Sequence, residues 1–218
     1  MYEDIKAIIF DVDGTLIDSM WIWKQVDVEF LSKRGISLPE RLQSEIEGMS
    51  YSETAIYFKA RFDLPESLDE IKEEWRIMAE DYYKCHIKLK SGAKEFLKLL
   101  YEKGFTIGIA TSNSRELVEH MLANHNIKQY FSNIRTSCEV DKGKPHPDVY
   151  LKVAEDMGIE PDHCIVFEDT VAGVMAAKAA GMKVFAMADE ISLESKDKLI
   201  EMTEGYIHSF DEVMHFFA

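Results

Sequence analysis

The chain has 218 residues, 46% of them apolar, and carries 25 Lys and Arg against 40 Asp and Glu, a formal net charge of -15. That length holds one full core, or a core with a smaller satellite, and the acidity argues against a nucleic-acid backbone or an anionic membrane as partner. Cys85, Cys138 and Cys164 stand far apart with no Cys-x-x-Cys, so nothing suggests a disulfide framework or structural zinc site; with no signal-type or bilayer-length apolar run a cytoplasmic location is expected, and with no evident surplus apolar face a monomer.

Ala7 to Phe10 reads as a strand apolar on both faces, suited to the inside of a parallel sheet. At its carboxyl end stand Asp11 and Asp13, which an extended backbone points to one side, and Gly14 lets the chain turn away. Two carboxylates that close repel unless a cation or the chemistry of a site stabilises them; a solvated Asp-x-Asp-Gly turn is the plainer alternative. From Ser19 to Tyr83 the periodicity is helical. Trp23, Val26, Phe30 and Leu31 share a face. A short helix is expected from Pro39 to near Gly48, and another from Ser52 to Phe62. Leu68, Ile71, Trp75, Met78, Ala79 and Tyr82 form a stripe along a fourth. This stretch is read as a helical lobe inserted after the first strand, with residues 18-87 as one domain and 1-17 with 88-218 as the other.

After Lys90, helix and strand alternate. A helix capped by Ser91 buries Phe96, Leu97, Leu99 and Leu100. The strand from Phe105 to Ala110 ends in Thr111-Ser112-Asn113-Ser114, ahead of a helix carrying Leu117, Val118, Met121 and Leu122. A strand at Ile134 to Thr136 leads to Lys144, Pro145 and a helix beginning near Pro147. Cys164 to Phe167 is the next strand and ends in Glu168-Asp169-Thr170; a helix from Gly173 to Ala180, a strand from Lys183 to Ala188 and a last capping segment follow. The expected class is α/β, a Rossmann-like doubly wound parallel sheet with an inserted all-helical cap of four helices.

The strand ends bring Asp11, Asp13, Thr111, Ser112, Glu168 and Asp169 toward one cleft, with Lys144 on a loop. Three carboxylates converging without a His-Cys set point to a hard divalent cation, Mg2+. A phosphoryl group then fits between that cation and Lys144, its oxygens held by Thr111 and backbone N-H groups. In that geometry Asp11 can act as nucleophile, Asp13 as acid and base, and Lys144 as charge stabiliser, with Asp169 on the metal and Glu168 behind it.

Together, Asp11-Val12-Asp13-Gly14-Thr15, Thr111-Ser112-Asn113, Lys144-Pro145 and Glu168-Asp169 resemble the four motifs of the haloacid dehalogenase-like hydrolases. The longer runs Phe10 to Ser19, Gly143 to Asp148 and Glu168 to Gly173 are similar to the beta-phosphoglucomutase-like branch. The resemblance implies magnesium on Asp11, the backbone carbonyl of Asp13 and Asp169, phosphate held by Thr111, Ser112 and Lys144, and a cap that selects the substrate. Asp13 argues for phosphoryl chemistry, since true dehalogenases lack the second aspartate. Where related sugar phosphomutases carry a His and a cap Arg, this chain has Trp23 and Tyr51. Hydrolysis of a small phosphorylated metabolite is therefore preferred over mutase activity, with a noncatalytic binding protein as a third reading.

Trp23, Tyr51 and Asn113 are candidate substrate contacts, although Trp21 and Trp23 also suit packing and Asn113 also suits a helix cap. Lys24, Lys59 and Arg61 are the cap cations to consider for a second anionic group. His146 lies between prolines, and with His86, His120 and His125 it reads as structural or solvent-facing.

Overall fold

The computed structural model describes residues 2, 4-190 and 192-217. Six strands form a parallel sheet: β1 (Ala7–Phe10), β4 (Thr106–Thr111), β5 (Asn133–Thr136), β6 (Cys164–Glu168), β7 (Lys183–Met187) and β8 (Gly205–Ile207), in the order β5-β4-β1-β6-β7-β8. β1 lies at the centre, paired with β4 and β6. Its alternation sends Ile8 and Phe10 to one face and Ala7 and Ile9 to the other, each into a separate buried cluster.

Phe10 packs against Phe96 of α5 (Ala93–Glu102), Phe167 and Phe210, with ring centroids between 5.3 and 6.2 Å. That cluster also takes Leu117, Val118, Met121 and Leu122 of α6 (Arg115–Asn124). The opposite face is covered by Val149, Tyr150 and Val153 of α7 (Asp148–Met157) and by Val174 and Ala177 of α8 (Val171–Ala179). The doubly wound core expected from the alternating pattern is present.

The segment expected only to cap the end instead contains α9 (Lys196–Met202) and the sheet's last strand β8. A three-residue strand is too short to show a period, and its place is set by pairing with β7. Ser91 does not cap α5: Gly92 occupies that position without a side-chain cap, and the Ser91 carbonyl accepts the Phe210 N-H at 3.0 Å.

Between β1 and α5 the chain builds the helical lobe from α1 (Met20–Ser32), α2 (Leu42–Ile46), α3 (Tyr51–Phe62) and α4 (Leu68–Asp81). Ser50 and Ser67 start α3 and α4 with reciprocal capping boxes to Glu53 and Glu70. The anticipated stripe of α4 buries Ile71, Trp75 and Ala79, and Trp75 meets Phe58 and Phe30 edge-on at 4.9 and 5.4 Å. α4 runs into a π-helical turn, Tyr82–His86, a form of helix that tends to mark functional positions. The lobe joins the core through a two-stranded antiparallel ribbon, β2 (Ile17–Asp18) against β3 (Lys88–Leu89). Two residues per strand carry no sequence signal, and the ribbon holds the exit and return of the chain side by side.

Candidate active site

The sheet register sets the site. Phe10 lies level with Ile109 and Phe167, so the next residue, Asp11, falls beside Ala110 and Glu168 at the carboxyl edge, where open α/β sheets place their ligands. Carboxylate oxygens of Asp11, Glu168 and Asp169 lie within 4.8 Å of one another, all three residues buried. Lys144 Nζ donates to Asp11 Oδ1 at 2.6 Å and to Glu168 Oε1 at 2.5 Å, and also to the Ala110 carbonyl at 3.3 Å.

Glu168 is saturated. Tyr150 donates to Oε1 at 3.0 Å, while the N-H groups of Asp169 and Thr170 and the Thr170 hydroxyl donate to Oε2 at 2.8, 3.0 and 3.1 Å. These bonds hold Lys144 and shape the turn after β6. Asp169 accepts from the Thr15 hydroxyl at 2.9 Å. Gly14, at φ +81°, lets it sit there, since a Cβ at that position would come within 2.2 Å of Asp169 Oδ2.

Burial raises the Asp11 carboxyl to about 8 against the pull of Lys144, and burial with the neighbouring Glu168 and Asp11 raises Asp169 as well. Burial also opposes the Lys144 charge, but Asp11 and Glu168 overcome it and hold the ammonium. Three buried carboxylates against one ammonium leave two negative charges in excess when all are ionised, an all-oxygen set that matches a hard divalent cation.

Asp13 is not part of this cluster, and its carboxylate is held by other donors. Ser19 Oγ donates to Oδ1 at 2.6 Å, Trp23 Nε1 to the same oxygen at 3.2 Å, and Asn113 Nδ2 to Oδ2 at 2.7 Å. The Tyr83 hydroxyl makes a short hydrogen bond to Oδ1 while accepting from Trp23 Nε1 at 3.0 Å and Asn113 Nδ2 at 2.7 Å. Burial and then the Asp13 charge push the Tyr83 phenol well above its ordinary range, so it keeps its proton and donates. No sequence pattern links Tyr83 to Asp13, 70 positions away; its one signal is an aromatic residue directly after the α4 stripe.

The candidate contacts divide. Trp23 lines the cavity but spends its indole N-H on Asp13 and Tyr83. Tyr51 lines it too, with its hydroxyl committed to the Lys72 carbonyl at 2.9 Å. Asn113 anchors Asp13 and accepts the Ser114 N-H, while Ser114 caps α6. Thr111 is buried at the cavity wall, its Oγ1 accepting the Asn113 N-H at 3.1 Å, and Ser112 is half-buried beside it. Lys24 lines the cavity, whereas Lys59 is tied to the carbonyls of Leu64 and Glu66, and Arg61 to Glu45. Trp21 is 48% exposed and packs on Tyr82 outside the cavity lining. His86 is exposed against Asp81, and His146 is exposed.

Cap and core close over a shared cavity of about 1000 Å³. The Tyr51 N-H donates to the Ser112 carbonyl at 2.9 Å, and Glu47 accepts from the Ala172 N-H at 3.2 Å.

The family model for haloacid dehalogenase-like hydrolases matches residues 8–187. The bifunctional riboflavin kinase/FMN phosphatase of Arabidopsis thaliana is 33% identical over 95% of this chain, which spans 54% of that relative's length. Hexitol phosphatase B of Escherichia coli K12 is 29% identical over 83% of this chain and 82% of its own. A haloacid dehalogenase family IA, variant 3 hydrolase of Entamoeba histolytica superposes with a TM-score of 0.80 at 26% identity, covering 98% of this chain and 99% of that one. With the acidic cluster in place at the end of β1 and β6, the chain belongs to the haloacid dehalogenase-like hydrolases, in their beta-phosphoglucomutase-like and phosphatase branch, and is an enzyme of phosphoryl transfer through an aspartyl-phosphate.

Proposed function

We propose that the protein is a phosphatase for a small phosphate monoester, with residues 18-87 as the cap and 1-17 with 88-218 as the catalytic core. The observation that carries the reading is the Asp11, Lys144, Glu168 and Asp169 constellation at the floor of a cavity roofed by the cap. Asp11, Asp169 and the Asp13 carbonyl would hold Mg2+, which when bound offsets the excess negative charge and draws electron density from the phosphoryl oxygens.

An Asp11 carboxylate oxygen attacks phosphorus, and the bond from phosphorus to the leaving oxygen breaks. Asp13 supplies the proton that the leaving alcohol takes. In the second half, Asp13 takes a proton from the attacking water, the bond from Asp11 to phosphorus breaks, and inorganic phosphate leaves with Asp11 restored. Lys144, Thr111 and Ser112 hold the transferring group, with most effect where its charge peaks. Glu168 fixes Lys144, and Tyr83, Trp23 and Asn113 orient Asp13.

Hydrolysis is favoured over mutase activity because the Trp23 indole and the Tyr51 hydroxyl are both committed within the protein and offer no cation to a second phosphate. The test is phosphate release from a panel of sugar, polyol and nucleotide monophosphates with magnesium and with chelator, alongside Asp11→Asn. Magnesium-dependent release by the wild type and loss of at least a thousandfold in the variant are expected. Isomerisation of glucose 1-phosphate primed by the 1,6-bisphosphate, without free phosphate, would replace this reading with the mutase.

A further inference from the structure

Helix α1 carries a carboxylate that phosphoryl chemistry does not use. Asp27 lies one turn beyond Trp23 and is 5% exposed. Gln43 Nε2, from α2, donates to its Oδ2 at 2.6 Å. Its Oδ1 accepts no hydrogen bond from any described residue, and no described Lys or Arg pairs with it. The Gln43 carbonyl oxygen is likewise without a donor among the described residues. Both residues line the cavity that holds Asp11 and Lys144.

A carboxylate buried without a cation is costly, and here burial raises the group to about 7 despite the Gln43 bond. An apolar residue would make a more stable wall. A costly acceptor kept at a cavity surface with an oxygen to spare is the pattern of a ligand-recognition group. What it lacks is a hydrogen-bond donor, and the Gln43 carbonyl beside it lacks one too.

Resting on the phosphatase reading, we propose that Asp27 and Gln43 form the leaving-group subsite, accepting hydrogen bonds from substrate hydroxyls, and that Asp27 determines specificity for a polyhydroxylated monophosphate. A second phosphate is turned away once Asp27 is ionised, above about pH 7, because an anion beside a desolvated carboxylate is repelled at low dielectric. Lys24 and Arg41 do not reverse this: they are exposed, and Glu40, Glu47, Glu190 and Glu194 line the same cavity.

The experiment compares kcat/KM for sorbitol 6-phosphate, n-hexyl phosphate, 2-aminoethyl phosphate and fructose 1,6-bisphosphate in wild type, Asp27→Leu and Asp27→Asn. The wild type should prefer sorbitol 6-phosphate to n-hexyl phosphate. Asp27→Leu should cut that ratio about tenfold or more, mainly through KM, and Asp27→Asn, which keeps one acceptor and the same shape, should cut it less. Should Asp27→Leu fail to fold, any fall in the ratio in Asp27→Asn supports the subsite and an unchanged ratio overturns it. The proposal is also overturned by equal wild-type rates on the hexitol and hexyl esters, by an unchanged ratio in Asp27→Leu, or by preference for the aminoethyl ester or the bisphosphate, each of which leaves the phosphatase reading standing. Release from none of the four by a wild type that is active elsewhere on the sugar, polyol and nucleotide panel would overturn the subsite alone, and silence across that whole panel would remove the phosphatase reading and the subsite with it.

Discussion

In the proposed reaction Tyr83 positions the acid and base Asp13 from outside the cavity lining. Its hydroxyl accepts from Trp23 and Asn113 and therefore has only its proton to give, which goes to Asp13. Tyr83→Phe removes this link while preserving ring packing. We expect kcat to fall by roughly tenfold to a hundredfold with KM nearly unchanged, a fraction of the full effect of a general acid and base; steady-state kinetics check it, and an equal rise in KM would mean that the residue shapes the cavity instead. Asp27 has a different consequence, for stability. Its carboxyl titrates near 3.8 in the unfolded chain and near 7 in the fold because burial disfavours its charge. Between those values the folded protein keeps a proton that the unfolded chain has released, so stability falls as pH rises and the loss is complete above about 7. Asp27→Asn cannot titrate and should gain on wild type by on the order of 3 kcal/mol between pH 4 and pH 8, read by urea denaturation at the two pH values; a difference independent of pH would show that Asp27 ionises freely in the fold.

At the scale of elements, cap and core meet where the segment after α2 approaches the loops after β4, β5 and β6. Gly48 sits at φ +80°, and a Cβ there would lie 2.6 Å from the Ala172 Cβ and 2.9 Å from the Lys144 carbonyl oxygen. Gly48→Ala both strains the backbone and props the cap away from the core. The expected result is a rise in KM and a fall in kcat together, with the thermal midpoint lowered by only a few degrees; unchanged kinetics would show that the closed contact is dispensable. Helices such as α3 and α4 are readable along the chain by their helical period, while the Ser50 and Ser67 capping boxes that start them emerge only in the structure. β2, β3 and β8 are not readable, because strands of two or three residues are specified by their partners.

For the whole molecule, a net charge of -15 is spread over the chain, and the three buried carboxylates of the site with Lys144 account for two of those charges when all are ionised. A divalent cation that binds the fold and not the unfolded chain stabilises by mass action. At a hundred times its dissociation constant, magnesium should raise the thermal midpoint by roughly 5 to 10 °C, and chelator should reverse the gain. Calorimetry with and without the ion measures it; no shift at saturating magnesium would argue that the three carboxylates do not bind it. Among the described residues no helix is long and apolar enough to cross a membrane, and the cavity between cap and core is of a size for a metabolite.

What the sequence alone determined is the chemistry. Asp11 and Asp13 two apart at a strand end, the Thr111 turn, Lys144 before a proline and the Glu168-Asp169 pair are local patterns, and local spacing plus strand alternation is enough to send them to one edge of a parallel sheet. Tertiary structure decided how those groups are held and what surrounds them. The turn of Asp13 toward Tyr83, the saturation of Glu168 by Lys144 and Tyr150, and the uncompensated burial of Asp27 against Gln43 all arise between residues distant in sequence or depend on desolvation. None of the three is encoded in the period of any one segment, since burial and long-range pairing exist only after the chain has packed.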